Sequence, residues 1–166
     1  MAQSLFSKEG VMSTFFANKK DVAEKKWQVM DARDLVVGRL AARISRILMG
    51  KNRTDYTPHV ETGDGVIVIN AASVRVTGNK AKAKIYKSFS GFPSGQTERT
   101  FERVMKEDPT YVIKHAVKGM LPKNRLGRRM LTHLLVYADA NHPHQAQAMR
   151  DKVRTPKTAA VKKEKK

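Results

Sequence analysis

Two stretches of this sequence carry positive side chains with no acid between them, and cations so arranged are equipped to hold phosphate oxygens. Residues 75–87 contain Arg75, Lys80, Lys82, Lys84 and Lys87. Residues 114–129 contain Lys114, Lys118, Lys123, Arg125, Arg128 and Arg129. The second stretch also holds Gly119, Pro122 and Gly127. Glycine lets a backbone approach a phosphate closely, and a guanidinium fork binds phosphate oxygens two at a time. A solvated charged face normally mixes both signs. Runs of cations without an anion therefore point to a polyanionic partner. Arg39, Arg43 and Arg46 form a third basic element, spaced i, i+4, i+7, with Lys51 and Arg53 just beyond it.

Other chemistry finds little support. A dinucleotide fingerprint needs a glycine-rich turn after a strand and opening a helix, but Gly63-Asp64-Gly65 precedes its strand. No phosphate-loop motif is present. His142-Pro143-His144 is the one close histidine pair, and it lacks a third ligand at metal-binding spacing. Both are read as surface or RNA-facing histidines. His115 sits beside Ala116 on a predicted helix and is expected to be partly buried, with no special role. Glu61 and Asp64 flank a turn, where turn formation and ion pairing explain them as well as acid–base work does. No nucleophile elbow occurs. With no cysteine, disulfides, thiolate catalysis and cysteine metal sites are excluded. We expect no enzyme, no cofactor and no small-molecule substrate.

These side chains need a scaffold, and the apolar pattern predicts one. Trp27–Met30 reads as a short strand ending at Asp31-Ala32. Leu40, Ala41, Ile44, Ile47 and Leu48 share one face of a 3.6-residue period, predicting an amphipathic helix over 38–49 that Gly50 stops. The arginine stripe falls off that apolar face. Val66–Ile69 is a continuous β-branched run, typical of a parallel strand buried on both faces. Val74 and Val76 alternate with polar neighbours and predict another strand. Gly91, Pro93 and Gly95 mark 88–97 as a loop. Helical spacing returns at Phe101, Val104 and Met105, and Pro109 breaks it. A further helix is predicted through Val112, Ile113, Ala116, Val117 and Met120, then a short one through Leu126–Leu134. Leu135-Val136-Tyr137 reads as the last strand. Alternating strands and helices make an α/β domain with a small, mainly parallel sheet.

The totals agree with a folded, polyanion-facing protein. Lys and Arg number 33 against 15 acids, for a net charge of +18. Residues 150–166 account for +6 and residues 1–26 for +2, leaving +10 on residues 27–149. The folded part is therefore basic in its own right. No apolar run reaches the roughly 20 residues that span a bilayer, and no secretory signal is expected. Three parts are predicted: an arm over 1–26, a domain over 27–147, and a basic tail over 148–166 that is expected to be disordered, its end from 157 on above all. No helix-turn-helix, zinc finger, basic zipper or aromatic RNA-binding strand is recognisable. What remains is recognition of folded RNA by shape and backbone. A nucleotide-using α/β enzyme and a general polyanion binder are the rival readings.

Several motifs, in order, carry a family resemblance: Trp27…Asp31-Ala32 with Val37-Gly38-Arg39-Leu40-Ala41; Tyr56-Thr57-Pro58-His59-Val60-Glu61-Thr62-Gly63-Asp64; Asn70-Ala71; Thr77-Gly78-Asn79-Lys80; Lys118-Gly119-Met120-Leu121-Pro122-Lys123 through Leu126-Gly127-Arg128; and Tyr137-Ala138 with Asn141–Gln147. From about Met12 to Gln147 the chain resembles the bacterial large-subunit ribosomal protein L-thirteen family. The resemblance implies a three-layer α/β/α domain around a four-stranded parallel sheet. It implies a cytoplasmic protein of the ribosome, an early-binding constituent of the large subunit. Its partners would be large-subunit rRNA and neighbouring large-subunit proteins, with no membrane. The candidate RNA contacts are Arg39, Arg43, Arg46, Lys51, Arg53, Lys80, Lys82, Lys84, Lys87, Lys118, Lys123, Arg125, Arg128 and Arg129, with the Lys118–Arg129 loop the segment that carries over best. Two departures stand out. The family often has paired histidines after a tyrosine where this chain reads Tyr86-Lys87-Ser88-Phe89. Residues 1–11 precede the usual start, as either a lineage-specific arm or the product of an upstream start codon, with Met12 the alternative beginning.

Overall fold

The computed structural model describes residues 25–153. The predicted arm before residue 25 and the end of the predicted tail beyond 153 lie outside them. Strand β1 (Trp27–Asp31) leads into helix α1 (Val37–Met49), and strand β2 (Gly65–Ile69) follows after a loop. A four-residue helix α2 (Lys80–Ala83), strands β3 (Ile85–Phe89) and β4 (Gln96–Thr100), and helices α3 (Phe101–Glu107), α4 (Pro109–Met120) and α5 (Arg125–Thr132) come next. Strand β5 (Leu134–Val136) and helix α6 (Gln145–Val153) complete the described fold.

β2 is the axis of a parallel sheet in the order β1-β2-β5. Trp27 pairs with Gly65, and Val66 with Leu134. Successive side chains of a strand face opposite ways. Val66 and Val68 therefore enter the main core, while Ile67, also fully buried, lies on the other side and outside that cluster. The unbroken β-branched run is the signature of that two-sided burial.

Helix α1 turns Leu40, Ala41, Ile44, Ile47 and Leu48 inward, as its period predicts. It packs on α4, whose Val112, Ile113 and Val117 are buried. Each such aliphatic side chain contributes about 1.5–3 kcal/mol when fully buried. Gly50 ends α1 at φ 77°, a left-handed position that glycine occupies without strain. The chain then folds back along the end of the helix. Gly63 passes so close that a Cβ there would lie 1.8 Å from the Leu48 carbonyl oxygen.

The structure differs from expectation in four places. Among the described residues the parallel sheet has three strands, not four. Val74 and Val76 form no strand; only a single parallel bridge joins Val36 to Arg75. The stretch 88–97 is not wholly loop, because β3 and β4 pair antiparallel, with Ile85 opposite Thr100 and Phe89 opposite Gln96. β4 reads Gln-Thr-Glu-Arg-Thr, with no apolar alternation to betray it. Finally, α6 crosses the predicted domain end at 147 and runs into the predicted tail. Its Gln, Ala and Met residues have high helix propensity but little apolar pattern.

Pro109 does interrupt helical spacing, but as an opening. It sits in the first turn of α4, where its missing N–H costs nothing. Asp108 caps that helix, its Oδ1 accepting from the N–H of Thr110 at 3.0 Å and of Tyr111 at 3.3 Å. Thr100 caps α3 by accepting from the Arg103 N–H at 3.4 Å.

Candidate nucleic-acid interface

The predicted cations come from separate segments, and the fold brings several of them to one region. Arg39 and Arg43 project from the exposed side of α1 and line a cavity of about 280 Å³ with Asp34, Leu35, Val36 and Leu40. Val36 also borders a second cavity of about 650 Å³, where Lys80 and Lys84 meet Gly38 of α1 and Ala116 and Met120 of α4. On the other side of the α4 C-terminal half lies a third cavity of about 410 Å³. Lys118, Lys123 and Arg128 line it, with His115, Gly119 and Leu121 among its other walls. Three basic elements far apart in sequence are thus joined through α1 and α4.

The remaining candidates line none of these cavities. Arg46, Lys51, Lys82, Arg125 and Arg129 are exposed. Lys87 is exposed on β3 and pairs with Glu98 across the hairpin at 2.9 Å. Arg53 is enclosed by acids instead. Its Nε and Nη2 donate to the two oxygens of Asp55 at 2.9 and 3.0 Å, and Nη1 donates to Asp64 at 3.3 Å. The Asp55 hydrogen bonds hold the Arg53 pKa above its ordinary value, and Arg53 in turn lowers that of Asp55.

The turn between α4 and α5 is built by local chemistry. Asn124 caps α5, its Oδ1 accepting from the Gly127 N–H at 2.7 Å. A Cβ at position 127 would lie 1.8 Å from the Pro122 carbonyl oxygen, so only glycine fits. This fixes Lys123 in the turn and Arg128 in the first turns of α5, both lining the cavity. His115 stands on α4 and lines this cavity, a position the sequence reading did not assign to it. Its ring lies 5.2 Å from the Tyr86 ring, edge to face. Partial burial lowers its pKa first, and the charges of Lys84 and Lys118 lower it further. Its spacing of i+3 and i+4 from Lys118 and Gly119 was the available clue, since those positions share one helix face.

In open α/β sheets, ligands lie beyond the carboxyl ends of the strands. Here those ends are tied to one another. Asn70, buried and left-handed at φ 58°, donates from Nδ2 to Asp31 at 2.9 Å. Its N–H donates to the Asp139 carbonyl, and the Ala71 N–H to that of Tyr137, both at 3.0 Å. Lys25 and His133 each contact Glu61, at 2.8 and 3.0 Å, which ties β1 and the α5–β5 junction to the 51–64 loop. His142 and His144 lie beside Tyr137, with ring centres 6.2 and 5.9 Å away. Among the described residues no helix is long and apolar enough to cross a membrane.

Fold and site together define a class of protein: a small α/β scaffold that displays clustered cations around shallow cavities. The family described as ribosomal protein L13 matches residues 25–143. The large ribosomal subunit protein uL13 of Caldanaerobacter subterraneus subsp. tengcongensis is 54% identical over 136 residues, covering 82% of this chain and 94% of that protein. That of Desulfitobacterium hafniense is 53% identical with the same coverage. That of Microcystis aeruginosa is 54% identical over 127 residues, 76% of this chain and 84% of its own. The chain belongs to the ribosomal protein L13 family, which is structural and non-enzymatic.

Proposed function

We propose that this chain is a structural constituent of the large ribosomal subunit. It binds large-subunit rRNA through phosphate-backbone contacts and supports an early step of subunit assembly in the cytoplasm. The observation that carries this reading is the convergence of Arg39/Arg43, Lys80/Lys84 and Lys118/Lys123/Arg128 on cavities joined through α1 and α4. Cations fixed at several separated points suit a folded RNA, whose phosphates are spread over a surface, better than a small anion. Arg46, Lys51, Lys82, Lys87, Arg125 and Arg129, exposed outside the cavities, extend the contact area. Arg53 serves the site indirectly by holding the 51–64 loop. Neighbouring large-subunit proteins are the second class of partner. We read the Val36–Arg75 bridge as the place of the fourth strand that the family resemblance implies.

The test is binding of purified protein to deproteinised large-subunit rRNA across a salt series, with sedimentation of cell extract alongside. Preferential rRNA binding with a steep negative salt slope, and presence in large-subunit fractions, is the expected result. Equal affinity for duplex DNA, or absence from those fractions, would sink it.

A further inference from the structure

The cavity between α4 and α5 has two characters at once. Its apolar part, here called the floor, is Leu121, Pro122 and Leu131. Its cationic part, here called the rim, is Lys118, Lys123 and Arg128, and no acid is among the lining residues. A phosphate alone has no use for the floor. An apolar side chain has no use for three cations. A nucleotide uses both, with its base on the floor and its phosphates at the rim. The volume of about 410 Å³ falls within the range of roughly 300–1,000 Å³ typical of small-ligand sites.

We propose that this cavity receives one unpaired base of the bound RNA, turned out of its stack. The inference rests on the RNA-binding reading above and adds a specific subsite to it. His115 and Arg128 supply flat faces of the kind on which splayed bases stack. Burial first, then the charges of Lys84 and Lys118, lower the His115 pKa, which disfavours an added charge on its ring. The site is also preformed. The Pro122 carbonyl lies hard against Gly127, and Asn124 pins the turn between them, so the floor does not have to be assembled on binding.

Gly119 offers a clean test. It is exposed, it lines the cavity, and a Cβ built on it meets nothing within 4 Å. Leucine is the better helix former, so Gly119→Leu narrows the cavity without threatening the fold. Full-length wild type, Gly119→Leu and Gly119→Ala are bound to deproteinised large-subunit rRNA, and base reactivity is mapped with dimethyl sulfate and carbodiimide. Wild type is expected to protect one unpaired base, and Gly119→Ala, which adds only a methyl to the cavity wall, to weaken that protection less than Gly119→Leu does. With Gly119→Leu that base regains reactivity and affinity falls roughly tenfold, within the range of one missing base stack, while the salt slope stays unchanged. The proposal is overturned if wild type protects no unpaired base, or if Gly119→Leu leaves both pattern and affinity as they were. Should wild type protect no base on naked rRNA while Gly119→Leu still blocks incorporation into subunits, the occupant is a neighbouring protein and the base assignment fails. Absence of any wild-type rRNA binding removes the underlying function as well.

Discussion

Arg53 and Asp64 stand at opposite ends of the loop that follows α1, and the guanidinium donates to the carboxylate at 3.3 Å. With Asp55 accepting from the other two nitrogens, the arginine is a clasp on the loop. Its side chain is only 20% exposed. Arg53→Ala is therefore expected to lower the urea midpoint, at a cost of about 1–2 kcal/mol, since a two-pronged, half-buried network exceeds an isolated surface pair. The salt slope of rRNA binding should not change. A shallower slope with undiminished stability would contradict the clasp.

Gly127→Ala should destabilise the protein although it adds only a methyl group. The Cβ collides with the Pro122 carbonyl, a backbone atom that cannot swing aside. Overpacking of this sort costs typically about 1–3 kcal/mol. Thermal unfolding measures it, and a melting curve equal to wild type would show that the α4–α5 turn yields to the added methyl.

Asp108 ties stability to pH. The Thr110 hydroxyl lowers its pKa most, and the backbone N–H groups of Tyr111 and Thr110 add to this against the effect of burial. A carboxylate with a depressed folded pKa stabilises fully above its unfolded value, near the ordinary 3.8, and this is lost as pH falls through the folded value. Asp108→Asn removes the titration. Its midpoint should depend less on pH than that of wild type below about pH 4. Equal slopes would rule out a contribution from this cap. Asp108→Ala should cost about 1 kcal/mol at neutral pH, as the loss of an N-cap does.

Arg128 and Arg129 are exposed, so replacing both by alanine should spare the fold. If each meets one phosphate, the logarithmic salt slope shrinks by about 0.7–0.9 for every phosphate no longer neutralised, and subunit assembly slows. Unchanged slope and normal assembly would exclude both from the interface.

Elements with a strong apolar period were legible in the sequence. The predicted helix over 38–49 is α1, and the Val66–Ile69 run is β2, because burial alone dictates those patterns. The β3–β4 hairpin was not, because Gly91, Pro93 and Gly95 lie at its tip and its second strand is polar throughout. Val74 and Val76 alternate as a strand does, yet only the bridge at Arg75 forms, showing that alternation does not supply a pairing partner. At the site, charge located Lys118, Lys123 and Arg128 in one basic stretch, which the fold divides between α4, the turn after it and α5. It could not show that they line a partly apolar cavity, nor that Arg53 meets Asp64, eleven positions further along the loop. Those are tertiary facts, without a local signal.

The middle strand of the parallel sheet is made early and its second neighbour late. β2 ends at Ile69, whereas β5 begins at Leu134. As the chain leaves the machine that synthesises it, β2 waits through some sixty residues with one ladder of hydrogen-bonding groups unmet. At about 5–20 residues per second this lasts several seconds. During that time the Lys118–Arg129 segment has already emerged. A nascent chain interrupted before Leu134 thus combines cationic side chains with an open sheet edge, a product suited to clumping on whatever RNA is near. Three residues, Leu134 to Val136, close that edge of β2 when they arrive.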